Sequence, residues 1–378
     1  MNPDLLLPLL GGLSPAQFMR RHWQKRPLLV RQACPGIGPP LPRAALFALA
    51  GQDGVESRLV RRAAETWTLR SGPLPRRALP PIATRDWTLL VQGLDLHLPA
   101  AHAMLAHFDF VPHARRDDLM LSWASDGGGV GPHVDAYDVF LVQLQGRRRW
   151  RVAPPGEQSF VDGLPLRILQ HFEPTEDWLL EPGDMLYLPP MWGHDGVAEG
   201  ECMTASVGFR TPHRRELARE LLLRLADAAG DAEGADPIYA DPGQPAVDDP
   251  GRIPPRFLRF ARAALQRTFA DPSALARALG EVLSEPKPQV WFDRPAGGVS
   301  GLAGLRLDAR TRMLYDQRHV FVNGESWRAG GRDARLLRRL ADRRWLDAAD
   351  RARLSPGAAA IVHDWLDDGW LHEQEERA

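Results

Sequence analysis

Three side chains in this sequence have the types and spacing to hold a metal ion. The segment Gly131-Pro132-His133-Val134-Asp135 puts an imidazole and a carboxylate two residues apart. On a strand such residues share one face, so both donors point the same way. His194 follows about 60 residues later, behind the turn Pro182-Gly183-Asp184, the apolar run 185–188 and a second turn at Pro189-Pro190. Two imidazoles and one carboxylate on one face of a metal suit non-heme Fe(II). Three protein ligands leave three positions, two for a chelating co-substrate and one for O2. A His-x-Asp triplet alone is most often a surface turn. The apolar strand it leads into, and the histidine behind a second buried-looking strand, set this one apart.

A chelating acid needs a cation, and the run Gln145-Gly146-Arg147-Arg148-Arg149-Trp150-Arg151-Val152 supplies several. Most are expected to be solvated. Strand alternation separates them: Arg148, Trp150 and Val152 share one face, and Arg147, Arg149 and Arg151 share the other. Trp150 and Val152 belong to a core, so Arg148 also points inward, where a guanidinium needs an anionic partner. A dicarboxylate co-substrate bound bidentately meets that need. Ser122 is placed to add a hydroxyl; Thr204 and Ser206 are weaker candidates, ordinarily satisfied polar residues of a barrel wall. Tyr137 lies two residues beyond Asp135, on the same parity if the strand continues. Asp118 lies four residues before Ser122. The plain readings are a core aromatic and a turn residue. Beside a metal, a phenol and a carboxylate suit a cationic side chain such as a guanidinium. Cys202 reads as a small buried residue.

The elements that must position these groups are short strands with Gly/Pro turns. Ser14 and Pro15 open a helix over 15–23, which Pro27 ends. Strands are expected at 28–30, 119–123, 139–145, 150–152, 185–188 and 203–209, with a turn at Gln145-Gly146; the pattern is that of a sandwich or barrel. After Thr211-Pro212 the periodicity becomes helical. Residues 213–229 carry Leu217, Leu221 and Leu225 on one face. Helices follow at 256–268 and at 272–283, the latter capped by Asp271. Residues 230–255 and 285–301 are Pro/Gly-rich connections. The last part has strands at 312–315, 319–322 and 325–327, an Asn323-Gly324 hairpin turn and helices at 333–342 and 356–367. That order is winged-helix-like, and a packing or dimerisation role is expected in preference to direct nucleic-acid readout.

Composition removes several classes of function. The chain has 378 residues, with 47 Lys+Arg against 48 Asp+Glu and a net charge of −1, which argues against a strongly basic nucleic-acid binder and leaves room for a local basic patch. Two cysteines cannot build a disulfide framework, which fits a reducing compartment. The apolar stretch at residues 5–10 lacks a positive flank and contains Pro8, so it is no signal peptide. No run approaches the roughly 20 apolar residues that span a bilayer. A cytoplasmic protein with no membrane contact is expected.

With these motifs in place, the sequence resembles the bacterial JmjC-type ribosomal oxygenases of the cupin superfamily. The resemblance rests on Trp23-Gln24-Lys25-Arg26-Pro27-Leu28-Leu29, Asp117 to Ser122, Gly127 to Asp135, Tyr137-Asp138-Val139-Phe140, Gly146 to Trp150, Glu181 to Asp184 and Ser206 to Arg210. Met191-Trp192-Gly193 departs from the family pattern. The resemblance implies an α+β chain: a double-stranded β-helix (jelly-roll) catalytic domain at 1–210, a helical dimerisation segment at 211–285 and a winged-helix-like domain at 286–378. It implies Fe(II) on His133, Asp135 and His194, with 2-oxoglutarate and O2 as co-substrates. Arg148 and Ser122 are implied to hold 2-oxoglutarate, and Tyr137 and Asp118 a substrate arginine. The implied activity is hydroxylation of an arginine in a large-subunit ribosomal protein by a homodimer. A ribosomal histidyl hydroxylase, an N-methyl demethylase with the same triad, and a non-catalytic cupin binding protein are the alternatives.

Overall fold

The structure is a computed structural model and describes residues 2–64, 66–230, 236–268, 271, 273–294 and 303–374. Its contacts divide the chain into two compact units: Met1–Thr211 with Gln289–Trp291, and Pro212–Pro288 with Phe292–Ala378.

The first unit opens with α1 (Pro15–Arg21). Its start is a complete capping box, in which the Ser14 hydroxyl accepts from the Gln17 N–H and the Gln17 side chain accepts from the Ser14 N–H. Strand β1 (Leu28–Val30) and helix α2 (Arg43–Leu49) follow, then β2 (Ser57–Ala63), β3 (Thr66–Ser71), β4 (Trp87–Val91) and helix α3 (Pro99–Leu105). The remaining strands are β5 (Arg116–Ala124), β6 (Tyr137–Ala153), β7 (Glu176–Leu180), β8 (Met185–Leu188) and β9 (Gly193–Arg210). They form one antiparallel sheet in the order β1-β8-β6-β9-β5-β4-β2-β3, with β7 also on β6. Its large buried side chains, including Trp87, Trp123, Phe140, Tyr187 and Phe209, fill a single core with Phe18 of α1.

The frame is the pair β6 and β9, which run together from Tyr137 opposite Arg210 to Ala153 opposite Gly193. The sequence predicts two separate strands here, with a turn at Gln145-Gly146. Instead β6 is continuous, and that dipeptide lies where the register shifts between Gln143 and Arg147. Gly146, at φ +63°, allows the irregularity because a Cβ there would meet the Glu201 carbonyl. A turn signal inside a long strand thus becomes a bulge. Likewise β9 begins ten residues before the expected 203–209 strand. Strands β2, β3 and β4 and helices α2 and α3 carry no distinct signal in the sequence.

In the second unit, α4 (Arg214–Gly230), α5 (Pro255–Thr268) and α6 (Ala274–Ser284) match the expected helices in place. Pro272, the expected start of the third, lies outside the described residues, as do 231–235 and 295–301 of the two connections. The cap differs from the expected Asp271: α6 starts at Ala274 with Ser273 as its N-cap residue, and Asp271, two residues earlier, accepts from the N–H and hydroxyl of Ser273. Leu225 of the apolar stripe is buried against Ala274 and Ala278, with Leu221 packed beside it. That part of the stripe is therefore covered within the chain. One sheet of this unit consists of β11 (Met313–Tyr315), β12 (His319–Val322) and β13 (Glu325–Arg328). A second consists of β10 (Gly304–Leu307), β14 (Trp345–Leu346) and β15 (Leu371–Gln374), and the helices are α7 (Gly331–Arg343), α8 (Ala348–Arg351) and α9 (Pro356–Asp367). Asn323 and Gly324 both have positive φ, +50° and +91°, as a two-residue type I′ turn requires.

Candidate metal centre

The first imidazole is held by backbone. His133 and His194 form an isolated antiparallel bridge, His133 N–H to the His194 carbonyl at 3.0 Å and the reverse at 2.9 Å. Their rings lie 4.2 Å apart between centroids. Each ring is oriented in the same local way, through Nδ1 and the carbonyl two residues earlier: His133 to Gly131 at 2.7 Å, His194 to Trp192 at 2.9 Å. A donor at Nδ1 fixes the neutral tautomer whose Nε2 carries a lone pair for a metal. Met191 then donates its N–H to the Asp135 carbonyl at 2.8 Å, tying the loop before His194 to the third residue of the group. The departure at Met191-Trp192 thus falls on residues that act here through their backbone, which no side-chain motif reveals.

The three Nε2 and carboxylate atoms converge. Asp135 Oδ2 is 3.6 Å from His133 Nε2 and 3.5 Å from His194 Nε2. All three candidate ligand atoms lie within 4.8 Å of one another, and among the described residues no other group of this kind occurs. The expected shared strand face is not what joins His133 and Asp135: Asp135 lies in the loop before β6, which starts at Tyr137. Desolvation pushes the Asp135 carboxyl upward, yet its hydrogen bonds and charge contacts with both histidines outweigh that and hold it well below the usual carboxylate range. His133 is raised: burial opposes its protonation, but the bond and charge of Asp135 and the Gly131 carbonyl win. Donors of this set, oriented from behind by carbonyls and pre-polarised toward one point, fit a divalent metal with open positions. Gly131 itself is at φ +90°, and a Cβ there would press on the Trp67 ring and Ile168.

Alternation on β6 holds as expected. Arg148, Trp150 and Val152 lie opposite Ala198, Gly196 and His194, so the guanidinium and the second imidazole share one sheet face. Arg148 is 5% exposed, whereas the side chains of Arg147, Arg149 and Arg151 are 53%, 44% and 44% exposed. The outer arginines find carboxylates: Arg149 bonds Glu199 at 2.9 Å and Asp177 at 3.0 Å, and Arg151 bonds Asp195. Arg148 does not. Its Nη1 donates to Ser122 Oγ at 3.2 Å, its face meets the Trp150 ring at 5.8 Å, and its Nε and Nη2 are buried with no partner among the described residues. A buried cation with two idle donors is costly unless an anion completes it. The carboxylate of a chelating dicarboxylate such as 2-oxoglutarate would complete those donors, with Ser122 alongside.

Tyr137 and Asp118 are placed less directly. The Tyr137 phenol donates to Asp117 at 3.0 Å, not to Asp118, and Asp117 also accepts from Arg210 Nε at 2.8 Å. Burial first, and then the Asp117 and Asp118 charges, push the phenol pKa upward. Asp118 is 6% exposed, and its Oδ2 accepts the Gly93 N–H at 3.0 Å. Sequence reasoning misses Asp117, the direct partner of Tyr137; the alternation on β5 gives no reason to prefer it. Thr204 is satisfied as a wall residue by Gln143 at 2.9 Å, and Cys202 is fully buried.

Comparison with known proteins agrees with this geometry. A JmjC domain model matches residues 103–217, and a ROXA-like winged-helix model matches residues 267–372. The chain is 35% identical over 290 residues to the ribosomal protein uL16 3-hydroxylase of Escherichia coli, covering 74% of this chain and 73% of that one. It is 37% identical over 218 residues to a probable ribosomal oxygenase of Haemophilus influenzae, covering 57% and 53%. The solved structure of the E. coli ribosomal oxygenase YcfD in complex with cobalt and 2-oxoglutarate superposes with a TM-score of 0.79 at 30% identity, over 95% of this chain and 98% of that one. With a JmjC domain match, a winged-helix match and a relative 35% identical over about three quarters of both chains, the chain belongs to the JmjC-type ribosomal oxygenase family.

Proposed function

We propose that the protein is an Fe(II)- and 2-oxoglutarate-dependent hydroxylase that modifies an arginine side chain of a large-subunit ribosomal protein. The observation that carries this reading is Arg148, a buried guanidinium with two idle donors on the strand face of His194. The names of the E. coli relative and of its cobalt and 2-oxoglutarate complex support the same chemistry. When bound, iron, 2-oxoglutarate and O2 supply the oxidant that turns a C–H into a C–OH, with succinate and CO2 released. His133, Asp135 and His194 are the iron ligands in this reading. Arg148 and Ser122 orient the distal carboxylate of the co-substrate. Tyr137 and Asp118 hold the substrate guanidinium, and Asp117 joins them as the carboxylate already bonded to the phenol.

The protein is further read as a cytoplasmic homodimer. Leu222 and Leu223 of α4 remain 56% and 49% exposed, and Phe257, Leu258 and Leu265 of α5 are 49%, 52% and 63% exposed. Apolar area of this kind suits a symmetric contact. The domain division is 1–210 catalytic, 211–285 dimerising and 286–378 winged-helix. Among the described residues no helix is long and apolar enough to cross a membrane.

The test is turnover of an arginine-containing peptide from the ribosomal protein by the iron-loaded enzyme, read by mass spectrometry. Gain of one oxygen atom on arginine, with equal succinate release, is expected. A lysine in its place is a poorer substrate because it lacks the planar fork. Modification of a histidine peptide alone selects the histidyl hydroxylase, loss of a methyl group from an N-methylated peptide selects the demethylase, and absence of any succinate selects the binding protein.

A further inference from the structure

The second unit holds a cleft that the metal centre does not use. Its volume is about 470 Å³, within the range of small-ligand sites, and it is lined by Asp271, Ser273, Arg277, Arg318, His319, Ser326 and Arg328. The elements around it are fixed. On β12 and β13, His319 lies opposite Arg328 and Phe321 opposite Ser326, so alternation turns these four to one face. Helix α6 covers that face so closely that a Cβ on Gly280 would sit 2.3 Å from the Phe321 ring. Ser326 Oγ bonds Glu281 at 2.6 Å, and Gly324 N–H bonds Ser284 Oγ at 3.1 Å. The cleft is therefore the gap left between the first turn of α6 and the end of the β12–β13 hairpin.

Two of its guanidinium groups lack a direct partner among the described residues. Three carboxylates lie near, and each is engaged. Asp271 accepts from the Ser273 N–H and hydroxyl. Asp316 accepts from the N–H groups of Arg318 and His319 and lies 3.3 Å from His319 Nδ1. Glu281 accepts from Ser326 and stands 3.9 Å from both Arg277 Nε and Arg224 Nε. Arg318 and Arg328 are exposed, and their guanidinium groups have no carboxylate partner among the described residues. The floor is the His319 imidazole, 5% exposed.

We infer that this cleft binds a phosphate group, carried by a free nucleotide or by a single-stranded RNA backbone. Guanidinium forks are shaped for phosphate oxygens, and the rigid hairpin mount lowers the ordering cost of binding. A nucleoside monophosphate matches the space.

The full-length protein is titrated with uridine 5′-monophosphate by calorimetry and with a short fluorescein-labelled oligouridylate by anisotropy. Binding of at least one probe is expected. Arg318→Gln and Arg328→Gln should each weaken it by about tenfold or more, the scale of a lost charge-assisted hydrogen bond. Arg306→Gln, at an exposed arginine of β10 outside the cleft, should change it by less than about twofold. RNA binding far tighter than the monophosphate assigns the backbone as source; comparable binding assigns the free nucleotide. Absence of binding by both probes at millimolar concentration, or an equal loss in Arg306→Gln, overturns the inference. Peptide turnover is not part of the readout, so its failure and the failure of this site are separate results.

Discussion

Two buried charged side chains, one in each compact unit, are treated in opposite ways. In the jelly-roll unit, Arg148 is sequestered beside a serine and a tryptophan with two donors unused. In the winged-helix unit, the carboxylate of Asp308 is also nearly buried, its side chain 10% exposed, but every direction is filled. It accepts from the Arg310 N–H and Nε at 2.8 Å each, and His372 Nε2 lies 2.8 Å away. Desolvation pushes its pKa up, but the Arg310 and His372 bonds prevail and hold it down at about 2. A completed buried charge is a structural fastening. An uncompleted one is a place kept for a ligand, because the fold alone does not repay its desolvation.

The largest effect that would break this comparison lies at the metal centre. His133→Ala should bring 2-oxoglutarate turnover to the detection limit and lower the iron content. Retention of wild-type turnover would show that the converging donors do not serve the reaction. Next is Arg148→Ala. If its idle donors await the co-substrate, the Michaelis constant for 2-oxoglutarate should rise steeply, corresponding to roughly 2–5 kcal/mol. Arg149→Ala is the matched control on the opposite face of β6, and equal effects at the two positions would sink the assignment by alternation.

At Asp308 the sign runs the other way, toward stability and not catalysis. A carboxylate depressed from 3.8 to about 2 contributes stability that is fully present above pH 4. That contribution, on the order of 2 kcal/mol, is lost as the pH falls from about 4 through 2. Thermal melting of the full chain between pH 2 and 5 should show this acid-side loss, and Asp308→Asn should flatten it while leaving the 2-oxoglutarate Michaelis constant unchanged. An unchanged acid slope in the variant would remove Asp308 as its source. The smallest effect belongs to Arg149→Ala itself. Both of its ion pairs are exposed, so the melting temperature should be nearly unchanged. A larger loss would mean that the outer arginine ladder is a real stabilising network.

Much of the site is legible in the residues themselves. Arg148 can be told from its neighbours because side chains alternate along any strand, and Trp150 and Val152 mark the inner face. His133, Asp135 and His194 stand out by type and by the turns around them. Less is legible where contacts join distant segments. The pairing of Tyr137 with Asp117, and not Asp118, arises where the β5–β9 register shifts between Arg116 and Leu119, and alternation along the chain does not reveal such a shift. The turn signal at Gln145-Gly146 misleads for a related reason. Glycine permits a reversal and a bulge equally, and only the β9 partner, continuous on both sides, selects the bulge.

What the sequence determined by itself is therefore local: which residues can ligate, which face of β6 Arg148 takes, and where a helix or a hairpin begins, as Ser14 and the Asn323-Gly324 turn show. What the tertiary structure decided is convergence. His194 reaches His133 through a backbone bridge, each imidazole is aimed by the carbonyl two residues before it, and Arg148 is enclosed without an anion. Alternation and capping depend on bonds a few residues long, so they can be read from the chain. Convergence depends on sheet register set by the whole core, and no short segment contains it.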